Sequence, residues 1–260
     1  MPASAGLWKT AGAMEGPAEF IRRAVGAASR RLDRPELLAA FYPHSAQILR
    51  EEVAIGAILA ATLRSDSTYV DVGTNRGQIL RDAVRLAPRG RHVAFEPIPA
   101  LADEVTRTFP GVDCRRLAVG AEAGTAQFCH FTELDGWSGL RRSPQISDER
   151  GRPQYIEVQV STLDAELRDA DPTLVKIDVE GAELEVLHGA REVLSRARPV
   201  VVFEHDAAAA QLYEARSEAV WDAFEQLGYR VFTVTGEGPI ERGAFGAGAG
   251  AINWLATPAG

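Results

Sequence analysis

Val70-Asp-Val-Gly-Thr-Asn-Arg-Gly77 is the first stretch of this sequence that could do chemistry. It reads as a strand running into a glycine turn. Gly73 and Gly77 carry no Cβ, so a ligand can approach the backbone there. The helix expected next opens with N–H groups that have no partner inside it. Alone, that is also the ordinary turn of any α/β sheet. Glu96 adds to it by closing the following strand, His92–Glu96, at about the 20-residue interval where an acidic side chain accepts the hydroxyls of an adenosine ribose. The plainer reading of Glu96 is a helix cap ahead of Pro97. The loop then separates the cofactors. A dinucleotide diphosphate wants Gly-x-Gly-x-x-Gly, and a triphosphate wants a glycine loop ending in Gly-Lys-Ser/Thr. Here the spacing is Gly-x-x-x-Gly, with Asp71 ahead of it and Asn75 inside it. A carboxylate at that place suits a ligand bearing an ammonium and a sulfonium, which is S-adenosylmethionine.

Two further clusters sit where apolar runs end. In Val175-Lys-Ile-Asp-Val-Glu-Gly-Ala-Glu183, Lys176 and Asp178 alternate with apolar neighbours and share one strand face. They are either a buried pair that stabilises the strand or a charged group kept for function, with Asp178 on the ligand crevice. Glu180 either meets the substrate or caps the next helix. Val200-Val-Val-Phe-Glu-His-Asp206 places Glu204 and His205 at the end of a neighbouring strand. Histidine titrates near neutrality and is a natural proton acceptor. Asp178 or His205 is therefore the expected base, with Glu204 orienting it. Asp178 and Glu204 could also offer hard oxygen ligands to a divalent metal. No third ligand is evident, so a metal is not favoured and no metal site is assigned. The segment 134–154 reads as a long loop. In it, Trp137, Arg141, Arg142 and Arg150 are either a lid over an acidic, glycosyl or polyketide-type substrate or a solvated stretch.

The elements that would position these residues follow the hydrophobic pattern. Helices are expected at Glu19–Arg34 and Ser45–Leu63, after a loose leader over residues 1–16. Then come a strand at Thr68–Val72, a helix at Ile79–Leu86, a strand at His92–Phe95, a helix at Ile98–Phe109 and a strand within Val112–Val119. Gln127–Phe131 and Ile156–Val160 are strands. Leu174–Val179 and Pro199–Glu204 are buried strands separated by one helix, Ala182–Ala197. A helix at Ala209–Leu227, strands at Tyr229–Thr235 and Ala251–Leu255, and a mobile link over Gly243–Gly250 complete the chain. Alternating strands and helices make a parallel, doubly wound α/β sheet. Residues 1–64 form an N-terminal leader and helices, a substrate cap or oligomer contact, and residues 65–260 the ligand-binding domain.

Composition agrees with an ordinary soluble globular protein: 260 residues, 46% hydrophobic and 25% charged. The formal charge of −8 argues against broad nucleic-acid or anionic-membrane binding. Cys114 and Cys129 are too few for a disulfide scaffold and read as core thiols. No signal pattern or membrane-length apolar run is present, so a cytoplasmic location is expected.

Several of these blocks together resemble the FkbM family of S-adenosylmethionine-dependent methyltransferases. They are Asp71–Gly77, Phe95-Glu-Pro97, Ala118-Val-Gly120, Thr162-Leu-Asp164, Lys176–Glu183 with Leu187-His-Gly-Ala190, and Arg198–Glu204. The likeness spans about Thr68–Leu255 and is most specific in Lys-Ile-Asp-Val-Glu-Gly. It implies a class I methyltransferase fold, a seven-stranded Rossmann-like sheet whose last strand is antiparallel. It also implies methylation of hydroxyl oxygens on natural products, sugars or glycolipids. By position, Asp71, Gly73 and Gly77 would line the methionine part of the cofactor and Glu96 its ribose. Leu117 and Ala118 would border the adenine, and Asp178 would face the transferred methyl group. Arg76 departs from the small or apolar residue commoner at its place. Two rival readings are a nicotinamide-dependent oxidoreductase and a non-catalytic S-adenosylmethionine-binding scaffold. The first lacks a Tyr-x-x-x-Lys proton donor.

Overall fold

The computed structural model describes residues 43–132, 135–142, 152–247 and 250–259. The chain divides into two compact units, residues 1–53 and 54–260. Of the first unit, the described part is the start of helix α1, Pro43–Thr62. The expected leader and helix Glu19–Arg34 lie outside the described residues. Among the described residues, no helix is long and apolar enough to cross a membrane.

After α1 the chain runs β1 (Tyr69–Val72), α2 (Gln78–Leu86), β2 (Val93–Phe95), α3 (Pro99–Thr108) and β3 (Asp113–Arg115). It continues through β4 (Ala118–Val119), β5 (Gly124–His130), β6 (Gln154–Ser161) and a short α4 (Leu163–Glu166). Then come β7 (Leu174–Ile177), α5 (Glu183–His188), α6 (Arg191–Ala197), β8 (Val200–Glu204), α7 (Ala207–Gln211) and α8 (Ser217–Gln226). The end is β9 (Tyr229–Thr233), α9 (Arg242–Gly246) and β10 (Asn253–Pro258).

Seven strands form the main sheet in the order β3-β2-β1-β7-β8-β10-β9. The first five are parallel, and β10 runs antiparallel to both its neighbours. This is the class I methyltransferase topology. All residues of β1, β2 and β7 are buried, as expected for parallel strands covered by helices on both faces. One face packs Val72, Phe95, Ile177 and Phe203 under α5, α6 and α8. The other packs Tyr69, Leu174 and Val202 against Leu59, Leu80 and Val105. Each such side chain contributes about 1.5–3 kcal/mol by leaving water.

The structure departs from the sequence reading in four places. The expected strand over Val112–Val119 is two pieces. β3 joins the main sheet, and β4 joins a separate three-stranded sheet, β4-β6-β5. The expected helix Ala182–Ala197 breaks between α5 and α6 at Gly189. A Cβ there would lie 2.1 Å from the Gly120 carbonyl oxygen, so close packing on the end of β4 forbids any other residue. The expected helix Ala209–Leu227 is split into α7 and α8, with Glu214 between them at φ 57°. Asp206 caps α7 by accepting the Ala209 N–H at 2.8 Å. The expected mobile link contains α9, whose Phe245 is fully buried and packs on Phe203, His205 and Trp254.

Candidate functional site

A cleft of about 650 Å³, counted out to its open mouth, lies at the carboxyl ends of β1, β2 and β7. That is where open α/β sheets bind ligands. Gly73, Asn75 and Glu96 line it, as do Leu117, Ala118, Asp178 and Glu180. The glycine turn and Glu96 form one unit. Glu96 is buried, and its two carboxylate oxygens accept the backbone N–H groups of Asn75 and Ile98, both at 2.9 Å. Asn75 adopts φ 50°, which aims its amide at Glu96. A carboxylate oxygen can accept more than one hydrogen bond. Gly73 stands at φ 79°, and a Cβ on it would lie 1.8 Å from the Asp178 carbonyl oxygen. The ends of β1 and β7 thus touch through their backbones.

The β7 end carries the charge. Lys176 donates to Asp178 Oδ2 at 2.8 Å, and its side chain is 9% exposed. Burial would depress the Lys176 pKa, but facing Asp178, Asp71 and Glu204 hold it above the usual lysine value. Glu180 sits in the left-handed region at φ 55°. Burial, reinforced by Asp178 and Glu204, pushes its carboxyl well above the usual range. One oxygen from each of Asp178, Glu180 and Glu204 lies within 4.8 Å of the others. The third hard ligand not evident in sequence is therefore present as Glu180.

Residues 71–231 match the Methyltransferase FkbM domain. The chain belongs to the FkbM methyltransferase family. Methyltransferase sdnD of Sordaria araneosa is 31% identical over 164 residues, 51% of this chain and 63% of that protein. Methyltransferase 1 of Beauveria bassiana is 27% identical over 150 residues, covering 50% and 60% of the two. The 2-O-methyltransferase NoeI of Sinorhizobium fredii is 28% identical over 179 residues, covering 61% and 70%. The chain spans less than two thirds of the length of the first two relatives. Among solved structures, the methyltransferase FkbM of Methylobacillus flagellatus KT aligns with a TM-score of 0.47 and 15% identity, over 92% of this chain and 59% of that one.

Some of the expected site residues of this FkbM domain are not on the cleft. His205 is the clearest correction. It is buried, its Nε2 lies 2.8 Å from Ser217 Oγ and its Nδ1 3.4 Å from Glu183 Oε2, and its ring stacks on Phe245. With both nitrogens facing buried partners, it is a core histidine and not a proton acceptor for a substrate. Asp71 is also buried, behind the loop, and accepts the Thr74 hydroxyl at 3.0 Å. Burial raises its carboxyl pKa, with Lys176 opposing. It braces the turn and does not line the cleft. Gly77 caps α2 at φ 71° beside the Phe109 ring, so packing explains it. Glu204 stands next to Asp178 and Glu180 but outside the cleft lining. Trp137 and Arg141 are exposed and do not themselves line the cleft, although their neighbours Gly136, Ser138 and Leu140 do; residues 143–151 of the expected lid lie outside the described residues. The reading missed Ile98, Phe128 and Leu140, which give the cleft an apolar wall. Phe128 reaches it from the second sheet, which no local pattern announces. The rival nicotinamide-dependent oxidoreductase reading falls with the family assignment.

Proposed function

We propose that this FkbM domain is an S-adenosylmethionine-dependent O-methyltransferase acting on a hydroxyl of a small molecule. One observation carries the reading: Glu96 and Asp178, a ribose acceptor and a base, line the same cleft. The donor set suits the ligand. Glu96 presents a carboxylate to the cleft for the ribose hydroxyls, Leu117, Ala118, Ile98 and Phe128 make an apolar slot for a purine, and Asp178 with Glu180 favours a cation. The cofactor supplies a methyl group on a sulfonium, already a good leaving group. The chain's task is mainly alignment. Asp178 takes the proton of the acceptor hydroxyl, while Lys176 keeps that carboxylate in place. Glu204 buttresses Asp178 and Glu180. Exposed Trp137 and Arg141, with Glu180, are the proposed acceptor contacts. The acidic charge balance favours a small hydroxylated acceptor over nucleic acid.

Calorimetry on the full chain tests the reading. S-adenosylmethionine should bind and NAD should not. Methyl-labelled S-adenosylmethionine, incubated with a panel of hydroxylated metabolites, should then pass its label to at least one. Absence of cofactor binding refutes the proposal. Binding with no transfer to any hydroxyl returns the non-catalytic scaffold.

A further inference from the structure

Lys176 is placed to do more than hold Asp178. It pairs in register with Asp71 on β1 and Val202 on β8. Strand alternation then sets Asp71, Lys176, Asp178 and Glu204 on one face of the sheet, with Glu180 joining them from the turn. The ammonium is nearly buried and bonds Asp178 Oδ2 at 2.8 Å. A buried ammonium is tolerated only where facing acids compensate it. A divalent ion sharing those carboxylates would sit beside a like charge. We propose that Lys176 is the resident cation of the transfer site: it neutralises the rim of Asp178, Glu180 and Glu204 in place of a divalent metal and anchors Asp178 by one oxygen, leaving the other for the acceptor. This rests on the cleft being the methyl-transfer site. Lys176 is thus a positioning residue that acts through Asp178.

Manganese binding by electron paramagnetic resonance on the full chain tests it without an acceptor. The wild type should retain no stoichiometric Mn²⁺ at about 100 µM, an affinity that a built carboxylate site reaches. Lys176→Met removes the ammonium and should bind one Mn²⁺ per chain, at least about tenfold more tightly than the wild type. Adding Glu180→Gln to that variant should abolish the binding. Lys176→Arg keeps a cation and should bind none. Stoichiometric Mn²⁺ on the wild type or on Lys176→Arg overturns the proposal. So does a Lys176→Met protein that melts cooperatively yet ignores Mn²⁺. If that variant does not fold, the wild type and the arginine variant decide. The same samples are titrated with S-adenosylmethionine. Failure of the wild type to bind it overturns the methyltransferase reading and leaves the manganese result standing.

Discussion

Replacing Glu96 with alanine should cost this chain most of its cofactor affinity and a smaller part of its stability, and the two losses can be separated. In the folded chain Glu96 accepts two backbone N–H groups at 2.9 Å, from Asn75 and Ile98. A hydrogen bond to a charged acceptor contributes about 1.5–3 kcal/mol. Two ribose hydroxyls donating to the same carboxylate add two such bonds in the complex. Their loss, about 3–6 kcal/mol, raises Kd by roughly 10²–10⁴-fold. The two amides are left to water that enters the space of the lost side chain. A stability loss of about 2 kcal/mol is expected there, a fall in Tm of roughly 4–8 °C for a domain of this size. Titration calorimetry reads the first quantity and a thermal melt the second. S-adenosylhomocysteine has the same ribose and should lose affinity by the same factor. Glu96→Gln can accept one amide but turns an NH₂ toward the other donor, so it should fall between alanine and the wild type. An alanine variant that melts early but binds S-adenosylmethionine within about threefold of the wild type would show Glu96 to be a cap and nothing more.

Three further outcomes follow from the same geometry. Asp178→Asn keeps the side chain's size but removes its basicity. Turnover in label-transfer assays should fall by about 10²–10⁴-fold with cofactor affinity little changed, and undiminished turnover removes Asp178 from the chemistry. Glu180 has a raised folded pKa, so the folded chain binds that proton more tightly than the unfolded chain. The cost is absent below the unfolded value of about 4.3 and grows as pH rises through the folded value. Glu180→Gln should therefore raise the Tm of the ligand-free protein at pH values near 8, with little effect near pH 4; equal shifts at both refute the assignment. Gly73→Ala places a Cβ 1.8 Å from the Asp178 carbonyl oxygen at φ 79° and should destabilise the chain by about 3 kcal/mol or more. An unchanged melt would mean the two strand ends part easily.

The main sheet was legible because its signals are local. Tyr69–Val72 and Leu174–Ile177 are short apolar runs, and parallel order places whatever follows each run at one edge. Asn75, Glu96 and Asp178 could be found that way. His205 was misread for the opposite reason. Its partners Glu183 and Ser217 are 22 and 12 residues away and meet it only after α5 and α8 pack on β8. Nothing around Val200–Asp206 distinguishes a rim histidine from one turned inward. Phe128 was missed because β5 pairs with β6 across a long insertion, and that sheet leaves the main one. The breaks at Gly189 and near Glu214 depend on tertiary approach and a left-handed backbone, neither of which periodicity records.

The two glycines of the first motif also separate ligand recognition from packing. Gly-x-x-x-Gly invites the idea that both glycines make room for a ligand. Gly73 instead makes room for the backbone at Asp178, and Gly77 for the ring of Phe109, where a Cβ would approach to 2.6 Å. The turn can therefore keep its shape in the empty protein, braced by Asp71 through Thr74 and by Glu96 through the Asn75 amide. In the proposed reading, recognition is left to the side chains that this packing delivers: one acid at the end of β2 and the charged cluster that follows β7. A glycine spacing that differs from the dinucleotide pattern then says how tightly two strand ends approach. In the proposed reading, the cofactor is selected by which acids that approach brings to a single cleft.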